Sequence, residues 1–141
     1  LSKRMSMSKQ IFINLPVSDL AKAKAFYTAI GHGINPKFSD DNAACVVISD
    51  AIYVMLLVNP FFQGFTAKAI CDTATHIETL LALSAESRAE VDAVMERALA
   101  AGGKEPTPAR DHGFMFQRTF EDLDGHTWEI FYMDESAFPG A

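Results

Sequence analysis

The chain has 141 residues, 49% apolar and 21% charged, enough for one compact domain or two small fused halves and too apolar for general disorder. Its formal net charge of −6 and pI near 5.1 argue against nucleic acid and against an anionic membrane surface, since both attract basic patches. No stretch approaches the roughly 20 apolar residues of a transmembrane helix, and the longest apolar run, Ala51–Val58, is of strand length.

Residues 1–9 are mostly polar and lack the apolar core of a signal peptide. They are expected to form a disordered or truncated tail. A first module then occupies residues 10–58. Ile11–Val17 reads as a strand. Ser18 and Asp19 are cap residues, and Leu20, Ala23, Phe26, Tyr27 and Ile30 follow at helical spacing. Gly31 and Gly33 close that helix, with His32 between them as an end residue. Three strands follow, at Asn35–Phe38, Ala43–Ile48 and Ile52–Val58, with Asp40, Asp41, Asn42, Ser49 and Asp50 in the turns. Residues 59–75 carry Pro60, Phe61, Phe62 and Phe65. That connection is long enough to be a packed linker or a lid.

A second module, residues 76–134, repeats the plan. Ile77–Leu83 is a strand, Ser87-Arg88-Ala89-Glu90 is a capping box, and Val91, Val94, Met95, Ala98 and Leu99 trace one helix face. Gly102-Gly103 ends the helix. Strands are expected at Lys104–Thr107, Phe114–Phe120 and Thr127–Met133, with residues 135–141 as a tail. Setting Phe12 on Leu80 also sets Asp19 on Ser87. The fold class is therefore α+β, two tandem βαβββ modules whose half-buried sheets pair into a curved mixed or antiparallel cleft. That cleft is the expected site.

The most informative segment runs from Phe120 to Phe131. An Asp124-Gly125 turn feeds a strand that carries one carboxylate, Glu129, in a largely apolar run. Burying an unpaired charge is costly, so Glu129 is either solvated or part of a site.

Two motifs carry a family resemblance: Leu15-Pro16-Val17-Ser18-Asp19-Leu20 leading to Ala25-Phe26-Tyr27, and Phe120-Glu121-Asp122-Leu123-Asp124-Gly125 leading to Trp128-Glu129. With the doubled βαβββ order, the chain resembles the vicinal oxygen chelate superfamily of glyoxalases, bleomycin resistance proteins and extradiol dioxygenases. The resemblance spans nearly all of Ile11 to Asp134. It implies a divalent metal held by four side chains, two from each module. Carried onto this chain, those positions are Phe12, Met55, Leu80 and Glu129.

Only Glu129 is a competent ligand. Phe12 and Leu80 offer no lone pair, and the Met55 thioether suits copper(I) rather than nickel, zinc, iron(II) or magnesium. Asn14, on the same strand face as Phe12, does not restore the set. The expected site is thus an apolar wall around one acid. Glu129 would serve as a general base, as an acceptor for a ligand's donor, or only as a satisfied relic of the fold.

Other residues are candidates for the same site. His76 and Glu78 alternate with Leu80 and, with Glu129, form the fallback metal set. Arg118 shares a face with Phe114, Phe116 and Phe120; on the cleft side it would meet Glu129 or an anionic ligand, and on the outer side it is ordinary solvated charge. Phe61 and Phe62 line a ligand entrance, fill the core or form a dimer contact. His112 would reach over the cleft or sit in an exposed turn, and His126 reads as a turn residue. Cys45 and Cys71 lack metal or redox spacing and read as reduced cytoplasmic thiols.

The expected function is binding of a small, partly apolar ligand by a cytoplasmic homodimer, with no cofactor. The alternative is an enzyme, a metal-dependent lyase or dioxygenase with relocated ligands.

Overall fold

The computed structural model describes residues 9–137. Apart from Lys9, the N-terminal tail expected over residues 1–9 lies outside the described residues, as do residues 138–141 of the C-terminal tail. The chain divides into two compact units. The first takes residues up to Ile70 apart from Ala29–Gly31, and the second takes Ala29–Gly31 and everything from Cys71 onward.

The first unit runs β1 (Ile11–Val17), α1 (Leu20–Ala29), β2 (Gly33–Asn35), β3 (Ala43–Val47), β4 (Ile52–Val58) and a short helix α2 (Asn59–Gln63). Its sheet has the order β1-β4-β3-β2. β1 lies parallel to β4, and the other pairs are antiparallel. Asp19 starts α1, where its Oδ1 accepts the Lys22 N–H at 3.0 Å. Pro16 is tolerated in β1 because that strand is at the edge of its sheet, where a missing N–H donor costs no ladder bond. Leu15, Val17, Ala44, Val46, Val54 and Leu56 are all buried, and the register sets them on one face. Phe12, Asn14, Tyr53 and Met55 alternate with them and fall on the other face.

The expected strand Asn35–Phe38 is cut short. Pro36 begins a single 3-10 turn, Pro36–Phe38, and the Asn35 side chain caps it by accepting the Lys37 N–H at 3.0 Å. Proline lacks the donor that a ladder needs but fits the first turn of a helix. Pro60 opens α2 in the same way, so the connection between the modules is helical at its start.

The second unit runs β5 (Leu80–Ser84), α3 (Arg88–Ala100), β6 (Arg110–Asp111), β7 (Met115–Glu121) and β8 (Thr127–Met133), with sheet order β5-β8-β7-β6. β5 is parallel to β8, repeating the first unit's plan. Ser87 caps α3 by accepting the Glu90 N–H at 3.0 Å. The Glu90 carboxylate reaches back to the Glu86 N–H rather than to that of Ser87, a capping box displaced by one residue. Helix α3 packs on β7 and β8, burying Val91, Met95 and Ala98 with Phe120, Trp128 and Ile130.

Two expected strands of this unit move. β5 starts at Leu80, not Ile77. The strand placed at Lys104–Thr107 is instead Arg110–Asp111, and Lys104 keeps only an isolated bridge to Glu121. Pro106 and Pro108 cannot donate to a ladder, so the chain between these points stays irregular. No helix of the described residues is long and apolar enough to cross a membrane.

Two glycines with left-handed backbone separate conformational cost from contact cost. Gly113 has φ +80° and open space where a Cβ would stand. Gly125 has φ +82°, and a Cβ there would lie 2.9 Å from Thr73 Oγ1 and 3.1 Å from its carbonyl oxygen. Gly113→Ala should cost about 1 kcal/mol in urea unfolding. Gly125→Ala should cost about 3 kcal/mol, because the Thr73 backbone must also move. Equal costs would show that Thr73 does not hold that approach.

Candidate functional site

Strand alternation decides what each open face carries. In β8, Trp128 and Ile130 point into the core beneath α3, so Glu129 and Phe131 fall on the face that α3 leaves uncovered. The register sets Thr119 of β7 and Ala82 of β5 beside Glu129. Leu80 joins the same face one step along β5, 54% exposed. Glu129 itself is half-buried.

The first unit repeats this geometry. Phe12 pairs in register with Tyr53, and Asn14 with Met55. Phe12 and Met55 thus stand in the same diagonal relation as Leu80 and Glu129. Phe12 is 46% exposed and stacks on Tyr53, with ring centroids 4.6 Å apart and planes 8° from parallel. The Tyr53 hydroxyl donates to the Asp50 carbonyl at 3.1 Å, which fixes the lower ring. Nearby in the chain, Phe61 of α2 meets Phe65 edge to face at 5.3 Å, both exposed, while Phe62 is half-buried. Helix α2 itself lies against β1 and β4.

The donor set does not fit the metal that the resemblance implies. The first unit supplies an aromatic ring and a thioether at its two positions, and the second supplies an alkyl group and one carboxylate. Hard and borderline divalent ions take oxygen or imidazole donors, which three of the four positions lack. The fallback set does not assemble either. His76 lies before β5 and pairs with the Thr75 hydroxyl at 2.8 Å, and Glu78 is engaged elsewhere. Among the described residues no three His, Cys, Asp or Glu side chains converge as a metal would require.

Arg118 is not on the open face. It shares the helix side with Phe116 and Phe120, where Nη1 donates to Asp92 at 2.8 Å and Nε and Nη2 donate to Glu105 at 3.0 and 2.9 Å. Hydrogen bonds to Glu105, and then to Asp92, raise its pKa further above the ordinary arginine value. Strand parity groups Arg118 with those aromatics, and the helix packed on β7 sets which side the group takes.

Arg88 secures the other end of the same side. It donates to both Asp111 oxygens at 2.8 and 2.9 Å and to the Gly113 carbonyl at 3.0 Å, with its guanidinium 5.1 Å above the Phe116 ring. The Arg88 hydrogen bonds hold the Asp111 carboxyl well below the usual carboxylate range. His112, next to it, is exposed and lies 6.2 Å from the Phe114 ring.

His126 lies in the β7–β8 turn, as its sequence position suggested, but its side chain is buried there, 2% exposed. Its Nδ1 pairs with the Glu78 carboxylate, and its backbone N–H donates to Asp122 Oδ1 at 2.9 Å. Asp122 Oδ1 also accepts the Asp124 N–H at 3.0 Å, and the Thr73 hydroxyl donates to the Asp124 carbonyl. The β7–β8 connection is therefore a five-residue loop knitted to the segment before β5. A polar cleft of about 410 Å³ opens beside it, lined by Asp72, Lys104, Glu121 and Asp124 among others, and Glu129 is not in its wall. Burial pushes the Cys45 thiol pKa up, away from nucleophilic use.

Residues 9–49 match the family model described as bleomycin resistance protein-like N-terminal. Three solved structures are similar in fold. A hypothetical protein, SA1046, from S. aureus is 26% identical, with 92% of this chain and 98% of that chain covered and a TM-score of 0.75. A glyoxalase-related enzyme from Fulvimarina pelagi is 24% identical, with 89% and 88% covered and a TM-score of 0.73. A bleomycin resistance determinant encoded on the transposon Tn5 is 18% identical, with 90% and 99% covered and a TM-score of 0.64. This chain has the vicinal oxygen chelate fold. A search of curated proteins finds no sequence match. The vicinal oxygen chelate resemblance of the two sequence motifs thus agrees with the three-dimensional likeness, and it establishes architecture, not chemistry.

Glu78→Ala would strip the buried His126 imidazole of its acid and should lower unfolding free energy by about 1–3 kcal/mol in urea titration. A change below about 0.3 kcal/mol would show that the pair does no structural service.

Proposed function

We propose that the chain binds a small, partly apolar molecule on these open sheet faces, as a cytoplasmic homodimer, without the divalent metal that the resemblance implies. One observation carries this: the four positions that the resemblance assigns to metal ligands all lie on open faces in matching register, yet three of them are Phe12, Met55 and Leu80. A stacked Phe12–Tyr53 pair with a polarizable thioether beside it suits a flat or apolar ligand group. On the second unit's own face, Glu129 supplies a charged acceptor that fixes a ligand's donor by a charge-assisted hydrogen bond. A fold shared with a bleomycin resistance determinant agrees with ligand capture.

The neutral probe 3-phenylpropanamide tests this by amide NMR titration. Shifts should concentrate at Phe12, Tyr53 and Met55 and at Leu80, Glu129 and Phe131. A Phe12→Ser, Met55→Ser double variant should weaken the probe about tenfold, through lost apolar contact. Shifts on the helix-covered faces, or an unaltered affinity, would refute the assignment.

A further inference from the structure

The second unit's open face holds a cation that the metal positions do not explain. Arg110 pairs in register with Gln117 of β7, and Gln117 pairs with Phe131 of β8. Its neighbour Asp111 is turned to the helix side, as its bidentate bond to Arg88 shows. Alternation therefore sets Arg110 on the same face as Gln117, Phe131 and Glu129.

Its place is fixed while its charge is uncommitted. β6 is only two residues long, yet it is clamped on the other side: Asp111 and the Gly113 carbonyl are both held by Arg88, and the Gly113 N–H donates to Asp111 at 2.9 Å. The His112 N–H closes the hairpin on the Met115 carbonyl at 2.8 Å. Arg88 and Arg118 spend their guanidinium groups on Asp111, Asp92 and Glu105. The Arg110 guanidinium, by contrast, has no hydrogen bond or ion pair among the described residues, and the residue is exposed. Arg110 and Glu129 are two strands and about one pleat apart, roughly 12 Å between backbones from ordinary sheet spacings. One small molecule with polar groups at both ends covers that span, with Phe131 between.

We propose that Arg110 is a specificity-determining residue that recognises an anionic group, such as a carboxylate, on the ligand. The proposal rests on the open faces being ligand surfaces and adds the chemical class. A chain of net charge −6 repels small anions in general, so any preference for an anion must come from a local cation. A planar guanidinium on a fixed backbone offers two parallel donors to such a group.

The test compares 3-phenylpropanoate with its neutral amide, 3-phenylpropanamide, by NMR titration on the full chain. The carboxylate should bind about tenfold tighter than the amide, the scale of one charge-assisted contact. Arg110→Gln should abolish that advantage, and Arg110→Lys should keep part of it. Arg97→Gln, which removes an equal charge from α3, should leave it intact. If the amide shifts the open faces but the carboxylate gains nothing, or keeps its gain in Arg110→Gln, the anion assignment falls and the ligand surface stands. If neither probe shifts those faces, both fall together.

Discussion

Burial of Trp128 and Ile130 beneath α3 is the constraint on which the rest depends. Trp128 stacks near Phe120 with centroids 6.4 Å apart, and all three residues are at most 3% exposed. A slip of one residue would put Glu129 into that core and Trp128 into solvent. The register is thus held by apolar burial on one side, and the carboxylate on the other side follows from it. Glu129 need not be stabilised where it is; its neighbours leave it no other place.

The same economy separates scaffold charges from uncommitted ones. Arg118, Arg88, Asp111, Glu78 and His126 all meet partners; the arginine pairs tie a helix or loop to the sheet, and Glu78–His126 ties two loops together. Exposed pairs such as Arg88–Asp111 add little stability, but they fix geometry. Glu129 and Arg110 have no such structural employment, and they share a face with Phe131 and Leu80. A protein surface that leaves a positioned carboxylate and a positioned guanidinium unspent beside apolar side chains is suited to recognition more than to folding.

Much of this was legible in the chain. The caps at Asp19 and Ser87, the strand Ile11–Val17 and the strands Ile52–Val58 and Thr127–Met133 stand as read, because capping chemistry and apolar patterning are local signals. The edges of β2 and β6 were not, since prolines 36, 106 and 108 override strand-like neighbours. The side on which Arg118 falls was not readable either: parity groups residues, but only the helix packed on β7 tells which group is covered. The Glu78–His126 pair joins residues far apart in sequence, and no local pattern announces it. Arg110 was hidden for the same reason, because its partner row exists only once β6 finds Gln117.

The open faces carry side chains of the wrong chemistry for an ion cage, and everything proposed about binding follows from that. Elemental analysis of protein purified without chelators and then dialysed tests it most directly. Nickel, zinc, manganese and iron should all remain far below one equivalent per chain. A stoichiometric ion that survives dialysis, and is released on Glu129→Gln, would contradict the account.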